Sequence, residues 1–372
     1  MNGPAQERVQ ALLDRLVASD QSSGLQVAAY LDGKLVVDAW AGEADPATGR
    51  MVDGDTLFPV FSTSKGVAAT AVHRLVERGL LAYDTPIAHW WPEFAAHGKC
   101  GITLRHALDH TAGIPQMPEG GALEDFSDWD AMCRRIADLE PLWPPGQRTF
   151  YHAITYSWTI GEVARRADGR DFSRIIDEEI CRPLGLTGLF IGIPDRVEHL
   201  VTPIESRPGP PPTEPATPAP LTADQIISQR SIPPWVLPLE RMLNHAAVRR
   251  ACIPASNGIM NARSIAKHYA ALVGEVDGVR LIGERTLAEA TRQAPPPPGG
   301  VISRKGLGYG LYGPDHDPGA AFGHGGHGGS LGMADQRTKL AYGFARRRMS
   351  DPGAADPILA EIRAALGLPP AP

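Results

Sequence analysis

Three observations predict an α/β fold plus an all-α part: an antiparallel sheet flanked by helices, with a helical domain inserted. First, LQVAAYLDGKLVVDAWAG (25–42) holds two β-rich runs around Asp32-Gly33, a dipeptide that favours a tight hairpin. Second, the last third holds GLGYGLY, GGSLGMAD and KLAYGFAR, which read as short strands. Third, the middle is mostly helical, with TLRHALDHT, YSWTIGEVARRA and DFSRIIDEEICRPLG separated by Gly and Pro turns. The expected division is a discontinuous α/β domain at 1–78 and 255–372 and a mainly helical domain at 79–254.

The remaining elements follow in order. MNGPAQERVQALLDRLVASD reads as an amphipathic helix; it lacks the basic start and apolar core of a signal peptide. SKGVAATAVHRLVERGLL has apolar positions at helical spacing and a glycine at its end. Residues 201–220, VTPIESRPGPPPTEPATPAP, are too proline-rich for a helix or a central strand and read as a loop or polyproline-like excursion. APPPPGG (294–300) is a second break, and ADPILAEIRAALG closes the chain as a helix. No internal repeat is present.

Composition excludes several classes. The chain has 372 residues, 43% hydrophobic and 21% charged, with a formal charge of −6. Lys and Arg are dispersed, so no basic stripe points to nucleic acid. No apolar run approaches the roughly 20 residues that span a bilayer. Cys100, Cys133, Cys181 and Cys252 lie far apart without metal-ligand spacing, which fits free thiols in a cytoplasmic protein.

Chemistry concentrates at Ser62-Thr63-Ser64-Lys65, where an extended run gives way to a helix. Residues three apart share a helix face, so Ser62 and Lys65 point the same way. A serine hydroxyl needs a base, and a lysine serves only if burial or a neighbouring cation lowers its pKa. Val60, Phe61, Val67 and Ala68 supply apolar flanks. Alone, the tetrapeptide reads more readily as a helix cap followed by a surface lysine, because S-x-x-K occurs by chance in many chains of this length.

FPVFSTSKGVAATAVHRLVERGLLAYDTPIAHWWPEF, ITLRHALDHTAGIP and PPGQRTFYHAITYSWTIGEVARRADGR together resemble the serine β-lactamase superfamily. The nearest branch is the class C β-lactamase-like family VIII carboxylesterases, and the similarity runs from about residue 10 to 365. The resemblance implies a β-lactamase/transpeptidase-like fold with the active site between its domains. It implies Ser62 as nucleophile, Lys65 as its S-x-x-K partner and Tyr151 as base or proton shuttle. A lysine beside a buried phenol would favour the phenolate and make the two one coupled unit. Tyr151-His152-Ala153 stands where class C enzymes have Y-x-N, so Ala153 removes an amide that helps hold β-lactams; His152 is expected near substrate.

AFGHGGHGGS (321–330) holds the third element: His324-Gly325-Gly326 stands where the family has K-T-G. The glycines would let a strand approach the substrate, and the N–H groups of Ser62 and His327 would form the oxyanion hole. His324, mostly neutral at pH 7, would replace a permanent cation, and the site should be less selective for anions. The sequence leaves open whether His327 lines the pocket or faces outward on a strand. A metal reading of the two histidines lacks further ligands nearby.

Other features read as structural. His106 and His110 resemble a family segment that braces the fold. Asp84 looks like a cap, and Trp90 and Trp91 like packing residues. Asn257 and Gly258 look like a turn first and a substrate contact second. The expectation is a serine carboxylesterase acting on a small-molecule ester or acyl substrate, without cofactor, metal, nucleic acid or membrane. An acyltransferase, or a weak β-lactamase or D-peptidase, is the alternative.

Overall fold

The computed structural model describes residues 3–206, 220–296, 303–349 and 355–371. The 207–219 part of the proline-rich excursion and the 297–300 part of the second break lie outside the described residues. Ten strands appear among the described residues: β1 (Gly24–Leu31), β2 (Lys34–Asp45), β3 (Arg50–Met51), β4 (Phe58–Pro59), β5 (Leu189–Ile191), β6 (Gly258–Met260), β7 (Gly310–Leu311), β8 (Ala321–Gly325), β9 (Leu331–Asp335) and β10 (Leu340–Arg346). Seven form one sheet in the order β3-β2-β1-β10-β9-β8-β7, and three form a small sheet in the order β4-β6-β5.

The large sheet joins the two ends of the chain. β1 pairs antiparallel with β10, from Leu25 opposite Arg346 to Leu31 opposite Leu340. β1 and β2 turn at Asp32 (φ 44°) and Gly33 (φ 76°), the two left-handed residues of a two-residue hairpin. Side chains alternate along β1: Leu25, Val27 and Ala29 enter one core, while Ala28 and Tyr30 enter the other. The first core is closed by helix α1 (Pro4–Ala18), through Val9 and Leu13, and by the helix Asp356–Ala365, through Ile358 and Ile362. The second is closed by the helix Ala262–Val273. Gly343 of β10 lies so close to it that an added Cβ would stand 2.3 Å from the Ala262 carbonyl oxygen.

Between the two halves lie mostly helices, among them α2 (Ser64–Glu77), Leu104–Leu108, Trp129–Ala137 and Tyr156–Asp168. Two expected elements are shorter than their sequence patterns. TLRHALDHT forms only the helix Leu104–Leu108, capped by the Thr103 hydroxyl, and His110 leaves it with φ at 66°. GLGYGLY contributes only Gly310–Leu311, because Gly308 takes a left-handed turn at φ 83°. Among the described residues no helix is long and apolar enough to cross a membrane.

A buried ion pair ties the last helix to the sheet. Arg363 Nη1 stands 3.0 Å from Asp335 Oδ2, with side chains 2% and 1% exposed. Asp335 Oδ1 also accepts the N–H groups of Arg337 and Thr338. Asp335→Ala leaves the guanidinium buried without its counter-charge. The expected loss is about 3–5 kcal/mol of stability, read as a lower Tm in thermal unfolding; an unchanged Tm would show that the pair carries no net stability.

Candidate active site

The serine turn begins at β4 and bends sharply. Phe61 holds φ at +47°, a conformation bulky residues avoid and that costs roughly 1–3 kcal/mol. Ser62 sits in the 3₁₀ turn Phe61–Thr63, just before α2 rather than in its first turn, because that bend tightens the entry. The surroundings over-determine the strained turn. Val60 N–H donates to the Gly258 carbonyl at 2.9 Å, and the Ser330 hydroxyl donates to the Val60 carbonyl at 2.8 Å. Ser64 is fully committed: its hydroxyl accepts Gly258 N–H at 2.7 Å and donates to the Phe61 carbonyl. Ser62, half-buried, opens onto the cavity.

Lys65 has no solvent exposure. Its Nζ donates to the Ala153 carbonyl at 2.8 Å and the Ala255 carbonyl at 2.9 Å, and stands 3.3 Å from Ser62 Oγ. Burial, and then the ammonium of Lys305, hold its pKa well below the usual lysine value. A neutral amine has two N–H bonds and one lone pair. With both N–H groups given to carbonyls, the lone pair is left for the Ser62 hydroxyl proton.

Tyr151 lies across from this amine. Its hydroxyl is hydrogen-bonded to Ser62, and burial pushes its pKa above the ordinary phenol value. Lys65 Nζ lies 4.7 Å from the ring centroid. The expected phenolate is therefore corrected: burial favours the uncharged form of both residues, and the lysine meets the ring rather than a phenoxide. Tyr151 is held by its neighbours. The His110 ring packs on it at 4.8 Å, and His110 Nδ1 accepts His152 N–H at 3.2 Å.

His152 is a second correction. It is buried, its Nδ1 donates to the Phe150 carbonyl at 2.7 Å, and its Nε2 accepts Ile114 N–H at 3.1 Å. Both ring nitrogens are spent on backbone, so it braces the loop and does not face the cavity. Ala153 does line the cavity, while its carbonyl holds Lys65.

From the other side β8 brings His324 and Gly325 to the cavity wall, followed by Gly326. His324 Nδ1 donates to the Gly325 carbonyl at 2.7 Å, and burial, with Lys305 nearby, holds the imidazole pKa well below its usual value. Gly326 is a contact point: an added Cβ would fall 2.1 Å from Val60 O and 2.2 Å from Ser330 Oγ. His327 is not on a strand. Gly328 and Gly329, at φ 85° and 99°, fold it into a turn, where it is exposed and meets the Phe61 ring edge-on at 5.6 Å. Among the described residues, the N–H groups of Ser62 and His327 donate to no backbone carbonyl.

These groups share a cavity of about 970 Å³. Ile154, Ile232, Leu239 and Met242 supply an apolar wall. The sequence reading missed Lys305 and Tyr312, which also line it. The signal for Lys305 was faint: a lysine just ahead of the glycine-rich GLGYG, where a surface position is the default. Other candidates are structural. His106 completes the cap at Thr103, and Asn257 spends its amide on the turn 248–257. Trp91 is buried against Phe94. Asp84 pairs with Arg105 at 2.6 Å instead of capping a helix. Among the described residues, no group of three or more His, Cys, Asp or Glu side chains is placed to hold a metal ion.

A family model described as Beta-lactamase matches residues 9–365. The chain is 33% identical over 345 residues to Esterase/beta-lactamase LipL of Mycobacterium tuberculosis (strain ATCC 25618 / H37Rv), covering 88% of this chain and 78% of the relative. Its structure is similar to that of a family VIII carboxylesterase, with TM-score 0.85, 32% identity and coverage of 98% and 97% of the two chains. It is also similar to a penicillin-binding protein homologue from Caulobacter crescentus, with TM-score 0.83, 32% identity and the same coverage.

The environment of Lys65 sets a pH dependence. A base acts only when unprotonated, so reactivity is lost as pH falls through the lysine's lowered pKa and is full above it. Labelling of Ser62 by a fluorophosphonate, with Ser62→Ala as blank, should rise with pH and level off well below 10.5, the ordinary lysine value. A rise that continues to that value would show that Lys65 is not the base.

Proposed function

The chain belongs to the beta-lactamase family, and we propose that it is a serine carboxylesterase working through an acyl-Ser62 intermediate. The observation that carries this reading is the Lys65 amine, with two N–H groups given to carbonyls and its remaining position 3.3 Å from Ser62 Oγ.

Lys65 takes the Ser62 proton as Oγ bonds to the ester carbonyl carbon. The N–H groups of Ser62 and His327 hold the oxyanion. Collapse of the tetrahedral intermediate breaks the bond to the alkoxide. Tyr151 gives the alkoxide its proton and is reprotonated from Lys65, which restores the starting inventory. Water then enters by the same route, and the acid leaves. The apolar wall accepts the organic part of a small ester. Neither Ala153 nor the neutral His324 offers the anchors that β-lactams use in class C enzymes, which favours ester over lactam turnover.

The reading also supports the two-domain division. Ser62, Lys65 and His324 come from 1–78 and 255–372, and Tyr151 and Ala153 come from 79–254. The four cysteines are free, two of them buried, which suits a reducing compartment such as the cytoplasm.

Intact mass after brief exposure to p-nitrophenyl acetate tests the assignment. Wild type should gain one acetyl group and Ser62→Ala none; acetylation of the variant, or of Ser64, would overturn it. In single-turnover acylation, Lys65→Ala and Tyr151→Phe should each lose at least about 10²-fold. The double variant should be little worse than either, because the two act as a unit. Tyr151→Phe within a few-fold of wild type would remove the tyrosine from the mechanism.

A further inference from the structure

Among the described residues, Lys65 and Lys99 are fully buried and their ammonium groups are satisfied by carbonyls. Lys65 is bonded as described, and Lys99 donates to the carbonyls of Ala96, Ala137 and Leu139. Lys305 differs. Its backbone is pinned, with the carbonyl accepting Ala294 N–H at 3.1 Å and a bridge to Gly310. Its side chain enters the cavity, and its Nζ lies 4.9 Å from the centroid of the Tyr151 ring. Among the described residues no carboxylate, carbonyl or hydroxyl meets that nitrogen.

A half-buried ammonium that lines a cavity and has no acceptor from the chain is available to a negatively charged group of a bound molecule. Lys305 disfavours protonation of Lys65, His110 and His324, which leaves Lys305 as the cation of this group. Arg304 also lines the cavity, but its guanidinium is engaged by Asp315. Asp356 is the one acidic residue among the lining groups, and it lies in the first turn of the last helix. The cavity is thus apolar on one wall and cationic beside Tyr151, the residue assigned to protonate the leaving alkoxide.

We propose that Lys305 is a specificity residue that recognises a carboxylate on the alcohol portion of the ester, an inference that rests on the acyl-serine reading above. The ammonium takes the role that the position of His324 has lost, from a different strand connection. On this reading the selectivity for anions that was expected to fall with the loss of the lysine at position 324 is kept by Lys305. Burial draws the Lys305 pKa down only to about 8, so the cation persists at neutral pH.

The test compares 4-acetoxybenzoate with 4-acetoxybenzamide. Both deliver the same acetyl group, so deacylation is common to both and any difference arises in binding and acylation of the intact ester. Wild type should favour the carboxylate, and the ratio of the two kcat/KM values should fall at least about tenfold in Lys305→Met, the scale of a charge-assisted hydrogen bond. Lys305→Arg should keep the preference. Equal turnover of both esters by wild type, or an equal loss on both in Lys305→Met, would overturn the proposal; the wild-type ratio decides even where the variant folds poorly. Acetylation of Ser62, read by mass in the same samples, separates the two readings. Acetylation without a preference defeats the role of Lys305 alone, and no acetylation defeats the esterase itself.

Discussion

An amine removed from water at position 65 is the constraint on which the rest of the site depends. Burial of such a group is tolerated only where acceptors are built around it. Here the acceptors come from Ala153 and Ala255, 88 and 190 residues away in the chain. Lys65 is therefore satisfied only when the α2 segment, the tyrosine loop and the turn before β6 are in place together. The same three pieces carry Ser62, Tyr151 and the wall behind them. Satisfying one nitrogen thus assembles most of the proposed catalytic group.

The serine turn is held on the opposite side by the end of β8. Phe61 would relax from its positive φ if its neighbours withdrew, and Ser330 and Gly326 are what prevent it. Gly326 has a steric reason to lack a side chain: the carbonyl of Val60 occupies the space. The strained serine turn and the strand facing it are parts of one contact. A change in the glycine frame is felt at Ser62 without touching the serine.

Much of this was legible in the sequence because short-range rules governed it. Asp32-Gly33 takes the hairpin its φ values require, and S-x-x-K needs only one helical turn to align Ser62 with Lys65. What the sequence hid was decided by distant partners. The tautomer and burial of His152 depend on Phe150 and Ile114. His327 leaves its strand because two glycines beyond it turn left-handed. The ionisation of Tyr151 follows from enclosure rather than from spacing. Lys305 was invisible because a lysine in a loop has no periodicity that marks it as lining a cavity.

The pairing of β1 with β10 bears on how the chain is made. A ribosome delivers residues in order, so the partner of β1 emerges only after roughly 300 further residues. At about 5–20 residues per second that delay is on the order of tens of seconds. Meanwhile the first hairpin offers an unpaired, largely apolar strand to whatever is nearby, a template for pairing with other chains. The sheet that carries both chain ends thus closes only at the end of synthesis, when β10 covers the free edge of β1.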